Sequence, residues 1–487
     1  MRNFVNKLIF CLIFFIFINI STGEELKFYP GIINVSTDVS DGNYSIEEIS
    51  SLAEKKDLPI IIITDHFLLK VEYGIFPFQR IVKRKVNRNS ILTYGIEKYL
   101  SEIEKINKNH PSVLLVPGVK VTPFYYWSGS LFKKNLTLND YHKEMLIFGL
   151  EEKDIRELPV IGNYPFKFSA KSFFQLLLFF LIFISGIFLI KVKKKKKVSF
   201  AKISFIKTIH PYRKIGIFII LISSVIFFNI FHLFQFDQYH GNQKDKPYQN
   251  LIDYVLSKNG LIFWSAPEVK SVEKINSIQL LTLPYSSSLI NTFNYTGFAC
   301  FYEGYREVGG PSGIWDKLLI EYCEGKRGKP IWTIGEIDYH GEKDKEIDEV
   351  QTVFLLPKFD KDSVMQALKN GKCYALWRTK EYSLVLDKIS MEIDGKNVFM
   401  GDEITASGNM KINCRIISSN KEAKPVKIKI IKNGDIVKIF ESFTPIDVKF
   451  IDSKVEKNKK VYYRIDIEGD YPHRIFTNPV FIMGSNL

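Results

Sequence analysis

The sequence predicts an α/β chain, interrupted by two apolar spans and finished by an all-β module. Short apolar strands alternate with helical stretches from about residue 28 and again from about residue 240, and repeated βα units of this kind build a parallel sheet or barrel. Two runs without a charged residue, 172–190 and 215–236, lie between these stretches. At about 1.5 Å per residue each crosses a hydrocarbon core of about 30 Å. Beyond Tyr382 the pattern changes to two-residue alternation with no long helix. The 487 residues are 46% apolar and include 40 Phe, which excludes a disordered chain and leaves room for more than one core.

Taken in order, residues 1–23 read as a secretory signal. Arg2 and Lys7 precede an apolar run over 8–18, and Ser21-Thr22-Gly23 offers small residues for cleavage. Residues 24–167 form the first part of the α/β unit. Gly31-Ile32-Ile33 is a strand, Ser45-Ile46-Glu47-Glu48 is a capping box opening a helix to about Lys55, and 59–64 is a strand of the fully buried kind. A helix over 96–107 and strands at 113–116 and 146–148 follow. Residues 168–238 form the membrane hairpin. Residues 239–381 complete the α/β unit, with helices at 248–257 and 314–323 and strands at 261–264, 278–283 and 330–334. Residues 382–487 read as a β-sandwich: Val426-Lys427-Ile428-Lys429-Ile430 alternates, Asn433-Gly434-Asp435 is a hairpin turn, and Val461, Tyr463, Ile465 and Ile467 alternate again.

The net charge of +14 is concentrated. Residues 191–214 hold nine Lys, one Arg and no acid, so the rest is nearly neutral and no nucleic-acid partner is expected. Positive-inside places the 191–214 loop in the cytoplasm and the remainder on the extracytoplasmic side of the membrane. The spans contain no Asp, Glu, Lys or Arg, which fits an anchor in the bilayer rather than a transport path. Cys300, Cys323, Cys373 and Cys414 form no CxxC pair, which excludes a zinc ribbon or redox motif. A Cys300–Cys323 bridge and free thiols both remain open.

Two motifs at strand ends carry metal-binding chemistry, Asp65-His66 after Thr64 and Asp338-Tyr339-His340. Carboxylate and imidazole at an open rim suit a divalent ion, although each pair alone also reads as a structural hydrogen-bonded pair. Four further segments accompany them: Asn34-Val35-Ser36-Thr37-Asp38 running to Asp41-Gly42, Pro117-Gly118-Val119-Lys120, Trp264-Ser265-Ala266-Pro267-Glu268, and Gly335-Glu336-Ile337 leading into Asp338. This order and spacing resembles the polymerase-and-histidinol-phosphatase (PHP) family over 28–150 and 240–345. The resemblance implies a distorted seven-stranded βα barrel, here interrupted by the two-helix hairpin. It also implies a site of two or three metal ions that hydrolyses phosphate esters, and the tail looks like the β-sandwich that follows some such barrels.

Residue by residue the match is partial. The family's His-x-His falls on Asn34 and Ser36, its bridging Glu on Lys120, a later His on Glu144 or Met145, and the His of its His-Pro motif on Ala266. His66, Asp338 and His340 are the residual metal ligands, and Asn34, Ser36, Asp65, Lys120, Glu144, Ala266 and Glu268 are expected around the pocket. Asp38, Asp41 and Glu268 keep loop positions whose default reading is a turn or cap. An ammonium at the bridging position repels a cation by about 4 kcal/mol per unit charge at about 4 Å with an effective dielectric near ~20. Two functions follow as expectations. One is a membrane-anchored extracytoplasmic pseudo-enzyme with no cofactor, binding a small anionic ligand. The other is a phosphoester hydrolase using one divalent zinc, manganese or iron ion.

Overall fold

The computed structural model describes residues 26–75, 79, 82–164, 170–200, 203–230, 235–452 and 457–485. The expected signal segment 1–23 lies outside the described residues.

Strand β1 (Lys27–Val35) pairs in parallel with β2 (Ile60–Ile63), and β2 with β3 (Leu114–Val121). Four consecutive isoleucines in β2 are buried, which only a sheet covered on both faces accepts. Next comes β4 (Met145–Phe148), antiparallel to both β3 and β5 (Leu261–Trp264). Then β6 (Gly297–Phe301) and β7 (Trp332–Gly335) continue in parallel. The sheet curls until its last strand meets its first. The Ile337 N–H donates to Ile33 O and the Tyr339 N–H to Asn34 O, both at 2.9 Å.

The expected βα alternation is broken between β3 and β4. A parallel return needs a crossover of a dozen or more residues, usually a helix. Between β3 and β4 the chain instead makes two short strands, Tyr126–Ser128 and Leu136–Asn139, and comes back reversed. The expected strand near 278–283 is also displaced. Ile278–Thr282 pairs with Leu136–Asn139 in a separate four-stranded sheet, outside the curled one. The capping box is as expected, with Ser45 and Glu48 closing the start of helix Ile46–Lys55.

After β7 the chain adds β8 (Val350–Leu356) antiparallel to β1, and β9 (Cys373–Trp377) antiparallel to β8. Strand β9 pairs with Arg474–Thr477, so the large sheet runs on into the tail. There a second sheet, with Leu384–Ile393, Lys411–Ser418 and Ile446–Ile451, shares a core with the first: Leu386, Ile412 and Ile416 meet Ile428, Ile465 and Ile467. The Arg464 guanidinium, fully buried in the tail, donates to both Asp316 oxygens at 2.7 Å, locking the tail to helix Ile314–Cys323.

Helices Ala170–Lys191 and Arg213–Ile230 pack side by side. A Cβ on Gly216 would stand 2.5 Å from Gly186 O, so the close approach requires small residues. Phe174, Leu178, Phe188, Phe218 and Leu221 point outward, exposed. Among the described helices one stretch, Phe173–Lys191, is long and apolar enough to cross a membrane. The second expected span is helical over Arg213–Ile230, and 231–234 lie outside the described residues. The basic segment between them is not a plain loop, because Lys194–Phe200 pairs with Ile203–Ile209 as a hairpin. Cys300, Cys323, Cys373 and Cys414 are free thiols.

Candidate functional site

The ends of β1, β2 and β3 and the segment after β7 converge on one pocket. Asp65, following β2, is buried and turned inward. Its Oδ1 accepts from the Thr37 N–H at 2.8 Å and from Ser40 Oγ at 2.6 Å, and its Oδ2 accepts from Thr37 Oγ1 at 2.7 Å. Burial raises its carboxyl, and these bonds counter part of that rise. Asp65 thus holds the turn that leaves β1. Gly42 is required there, because a Cβ would lie 2.3 Å from Ser36 O.

That turn presents Asp41 to two imidazoles. Its Oδ2 lies 3.4 Å from His66 Nε2 and 3.5 Å from His340 Nε2. One ligand atom from each of these three residues falls within 4.8 Å of the others. Ligand atoms about 2.1 Å from one ion stand about 3.4 Å apart at a tetrahedral angle, so both contacts of Asp41 match one bound ion. Burial alone would raise the Asp41 carboxyl. The hydrogen bond and charge of His66, then Lys120 and His340, hold it well below the usual carboxylate range. Glu144 Oε1 stands 3.9 Å from His66 Nε2, and Glu342 Oε1 3.6 Å from His340 Nδ1.

The inner half of the pocket is organised around Lys120, 1% exposed, whose Nζ donates to Asp338 Oδ1 at 2.7 Å. Burial disfavours its charge, but Asp338, Glu144 and Asp41 outweigh burial and keep it an ammonium. Burial likewise acts to raise Asp338, and Lys120 with His340 pulls it well below the usual range. Asn34 joins the same group at a positive φ of 69°, a conformation Asn tolerates. Its Nδ2 donates to Asp338 Oδ1 at 3.0 Å and to Glu336 Oε2 at 3.3 Å, while its Oδ1 accepts from Thr64 Oγ1 at 3.0 Å. Glu336 is fully buried and accepts from Ser265 Oγ and the Ala266 N–H, both at 2.9 Å. Burial and the neighbouring Asp338 charge push its carboxyl up to about 8.

Of the expected residues, His66 and His340 meet at Asp41, while Asp338 lies on Lys120 and Asn34. Ala266 contributes only its backbone N–H. Ser36 Oγ is buried with no hydrogen-bond partner among the described residues. Glu268 lies in the loop after β5, where its carboxylate accepts from the Val308 N–H at 2.8 Å and the Arg306 N–H at 3.2 Å and fixes that loop. Two participants were not singled out from the sequence. Glu336 lies just past the end of β7 and two residues before Asp338, which itself sits at a positive φ of 47°, so its place after a strand end was the available signal. Asp41 was read as a turn residue, and nothing in its spacing shows that the turn folds back over His66.

No family model and no curated protein matches the sequence. Solved structures do. A two-domain protein from Bacteroides vulgatus containing a predicted PHP-like metal-dependent phosphoesterase is 12% identical, with TM-score 0.32, covering 90% of each chain. A putative metal-dependent phosphoesterase from Bifidobacterium adolescentis is 12% identical, with TM-score 0.29, covering 69% of this chain and 95% of its own. An amidohydrolase from Chromobacterium violaceum with bound sulfate is 8% identical, with TM-score 0.27, covering 65% and 89%. At these values the function has to be read from the pocket itself.

Proposed function

We propose that the chain is a membrane-anchored, PHP-like barrel with a C-terminal sandwich, reduced from a multi-metal centre to a site for one divalent ion, and that it hydrolyses phosphate esters there. The observation that carries this reading is the convergence of Asp41, His66 and His340. Charge supports it. Asp41 and Asp338 are both held ionised, Asp338 by Lys120 with Lys345 nearby and Asp41 chiefly by His66, and Glu336 is near neutral at pH 7. Asp338 is thus matched by lysine, whereas Asp41 faces only imidazoles, which can give up their protons to a bound cation. Two imidazoles and a carboxylate suit zinc, manganese or iron. Such an ion polarises a phosphoryl oxygen and lowers the pKa of a bound water. The protein's own groups orient it: Asp65 fixes the Asp41 turn, and Glu144 and Glu342 face the two imidazoles. Lys120 supplies a permanent cation where the family resemblance expects a carboxylate.

A second reading, a pseudo-enzyme that only binds its ligand, is favoured by one specific contact. Asp338 is neutralised by Lys120 at 2.7 Å and is not free to ligate. In both readings the two helices anchor the chain, with 191–214 on the cytoplasmic side and the pocket outside, as the lysine distribution supports.

Elemental analysis of the purified full chain, loaded with each metal and desalted, tests the first reading. About one ion per chain, lost in Asp41→Ala and His66→Ala together with metal-dependent cleavage of bis-p-nitrophenyl phosphate, is the expected result. Binding without cleavage selects the pseudo-enzyme, and less than about 0.1 ion per chain removes the metal site altogether.

A further inference from the structure

The segments entering and leaving the proposed membrane hairpin lie together, with the Tyr164 and Phe236 rings 5.4 Å apart. Just beyond, Gln238 is tied to two protrusions of the α/β unit. Its carbonyl accepts from the Trp127 N–H at 3.0 Å, and its Nε2 donates to Glu72 Oε1 at 3.2 Å. Trp127 Nε1 also donates to Glu72 O at 2.9 Å, which joins the protrusions to each other. Glu72 belongs to strand Lys70–Gly74, paired with Lys83–Asn87. Trp127 precedes the turn 129–135.

Both protrusions expose apolar side chains. Phe132 is 86% exposed, and Leu131, Ile75, Val82 and Val86 are exposed with it. Ile75, Gln79, Trp127, Leu131, Phe132 and Tyr239 line one cavity of about 410 Å³, so the two tips are neighbours. Arg84, Lys85, Lys133 and Lys134 surround them, exposed and without an ion pair among the described residues. Glu72 is already matched by Lys83 at 2.8 Å. Protruding aromatic and aliphatic residues among unpaired basic ones form the pattern of a surface that rests at a lipid interface. Basic groups there are attracted to anionic headgroups. Here they lie beside the place where the chain enters the bilayer.

We propose that the turn 129–135, with Ile75, Val82 and the strand Lys83–Asn87, docks on the anionic lipid surface of the same bilayer that holds the helices. The inference rests on the membrane anchoring proposed above. It gives the α/β unit a second attachment, so that the unit is held against the membrane instead of swinging on its two connections.

The test uses the full chain in phosphatidylglycerol-containing bilayers, with an environment-sensitive fluorophore on Phe132→Cys, Phe180→Cys or Lys421→Cys and a lipid-borne nitroxide as quencher. The unsubstituted chain serves as the blank. Quenching at 132 and 180 but not at 421 is expected, weakening at 132 in purely zwitterionic bilayers and in Lys133→Glu/Lys134→Glu. Quenching at 180 with 132 behaving like 421 overturns the docking while the anchor stands. No quenching at 180 overturns the anchor, and the docking with it. Undiminished quenching at 132 in zwitterionic bilayers overturns the role of headgroup charge.

Discussion

Asp41 and Asp338 are both carboxylates held ionised in one pocket, yet their partners differ in kind. Asp41 faces two imidazoles at 3.4 and 3.5 Å, while Asp338 faces an ammonium at 2.7 Å. An imidazole is a cation only when protonated and otherwise offers a lone pair to a metal. A buried ammonium is a fixed charge with no lone pair to give. The outer half of the pocket is therefore available to an ion, and the inner half is already neutralised by its own chain. What separates them is the residue at position 120, not the number of acids.

The strongest way to break this contrast is Lys120→Met. Lys120 is buried but the Asp338 side chain is 48% exposed, so water screens the carboxylate left behind and the expected loss is about 2–3 kcal/mol, below that of a fully buried pair. Denaturant unfolding of the full chain in detergent reads this loss. Metal content is expected to stay near its wild-type value, since Lys120 is no ligand. A variant that loses its ion along with its stability merges the two halves into one unit.

Asp338→Asn and Asp41→Asn sharpen the contrast from both sides. Asp338→Asn leaves the Lys120 ammonium buried without its closest carboxylate, with an expected loss of about 2–3 kcal/mol and little change in metal content. Asp41→Asn, at a side chain 31% exposed, gives up the charge facing His66 and His340, with an expected loss of about 1–2 kcal/mol, while the ion is lost. Equal effects of the two variants on metal content end the division into outer and inner halves.

Much of this was legible in the sequence. The buried isoleucine strand, the Ser45–Glu48 capping box and the period-two tail are local patterns, and local patterns fix elements. The direction of β4 was not legible, because it depends on what the excursion between Val121 and Met145 pairs with, and its partner Ile278–Thr282 is far away in the chain. At the site the strand-end histidines could be read, because their place follows from the strands. The role of Asp41 depends on a loop fold set by Asp65 through three hydrogen bonds, and no residue spacing encodes it. Asp65→Asn tests that link. It weakens the turn by about 1–2 kcal/mol, and metal affinity is expected to fall although position 65 touches no ion. Unchanged affinity means that Asp41 finds its place without the turn.

Glu336 gives the clearest pH signature. Its folded-state pKa of about 8 lies above that of an unfolded glutamate, so across the window between them the native chain holds a proton that the unfolded chain has released. Stability from this group therefore falls as pH rises through that window and levels off above about 8. Asp41 and Asp338 have the opposite sign, because their depressed values add stability above the unfolded carboxylate range and lose it as pH falls towards the folded values. The two slopes occupy separate windows. Glu336→Gln keeps the acceptor for Ser265 and the Ala266 N–H, gives up the 3.3 Å bond from Asn34 Nδ2, and cannot ionise. It is expected to flatten the upper slope, raise stability at pH 8.5 by roughly 1–2 kcal/mol, and leave the acid limb unchanged. Unfolding curves of both proteins between about pH 3 and 9 decide it. If the upper slope survives in the variant, another inner group holds that proton, and the neutral acid beside Asp338 is not Glu336.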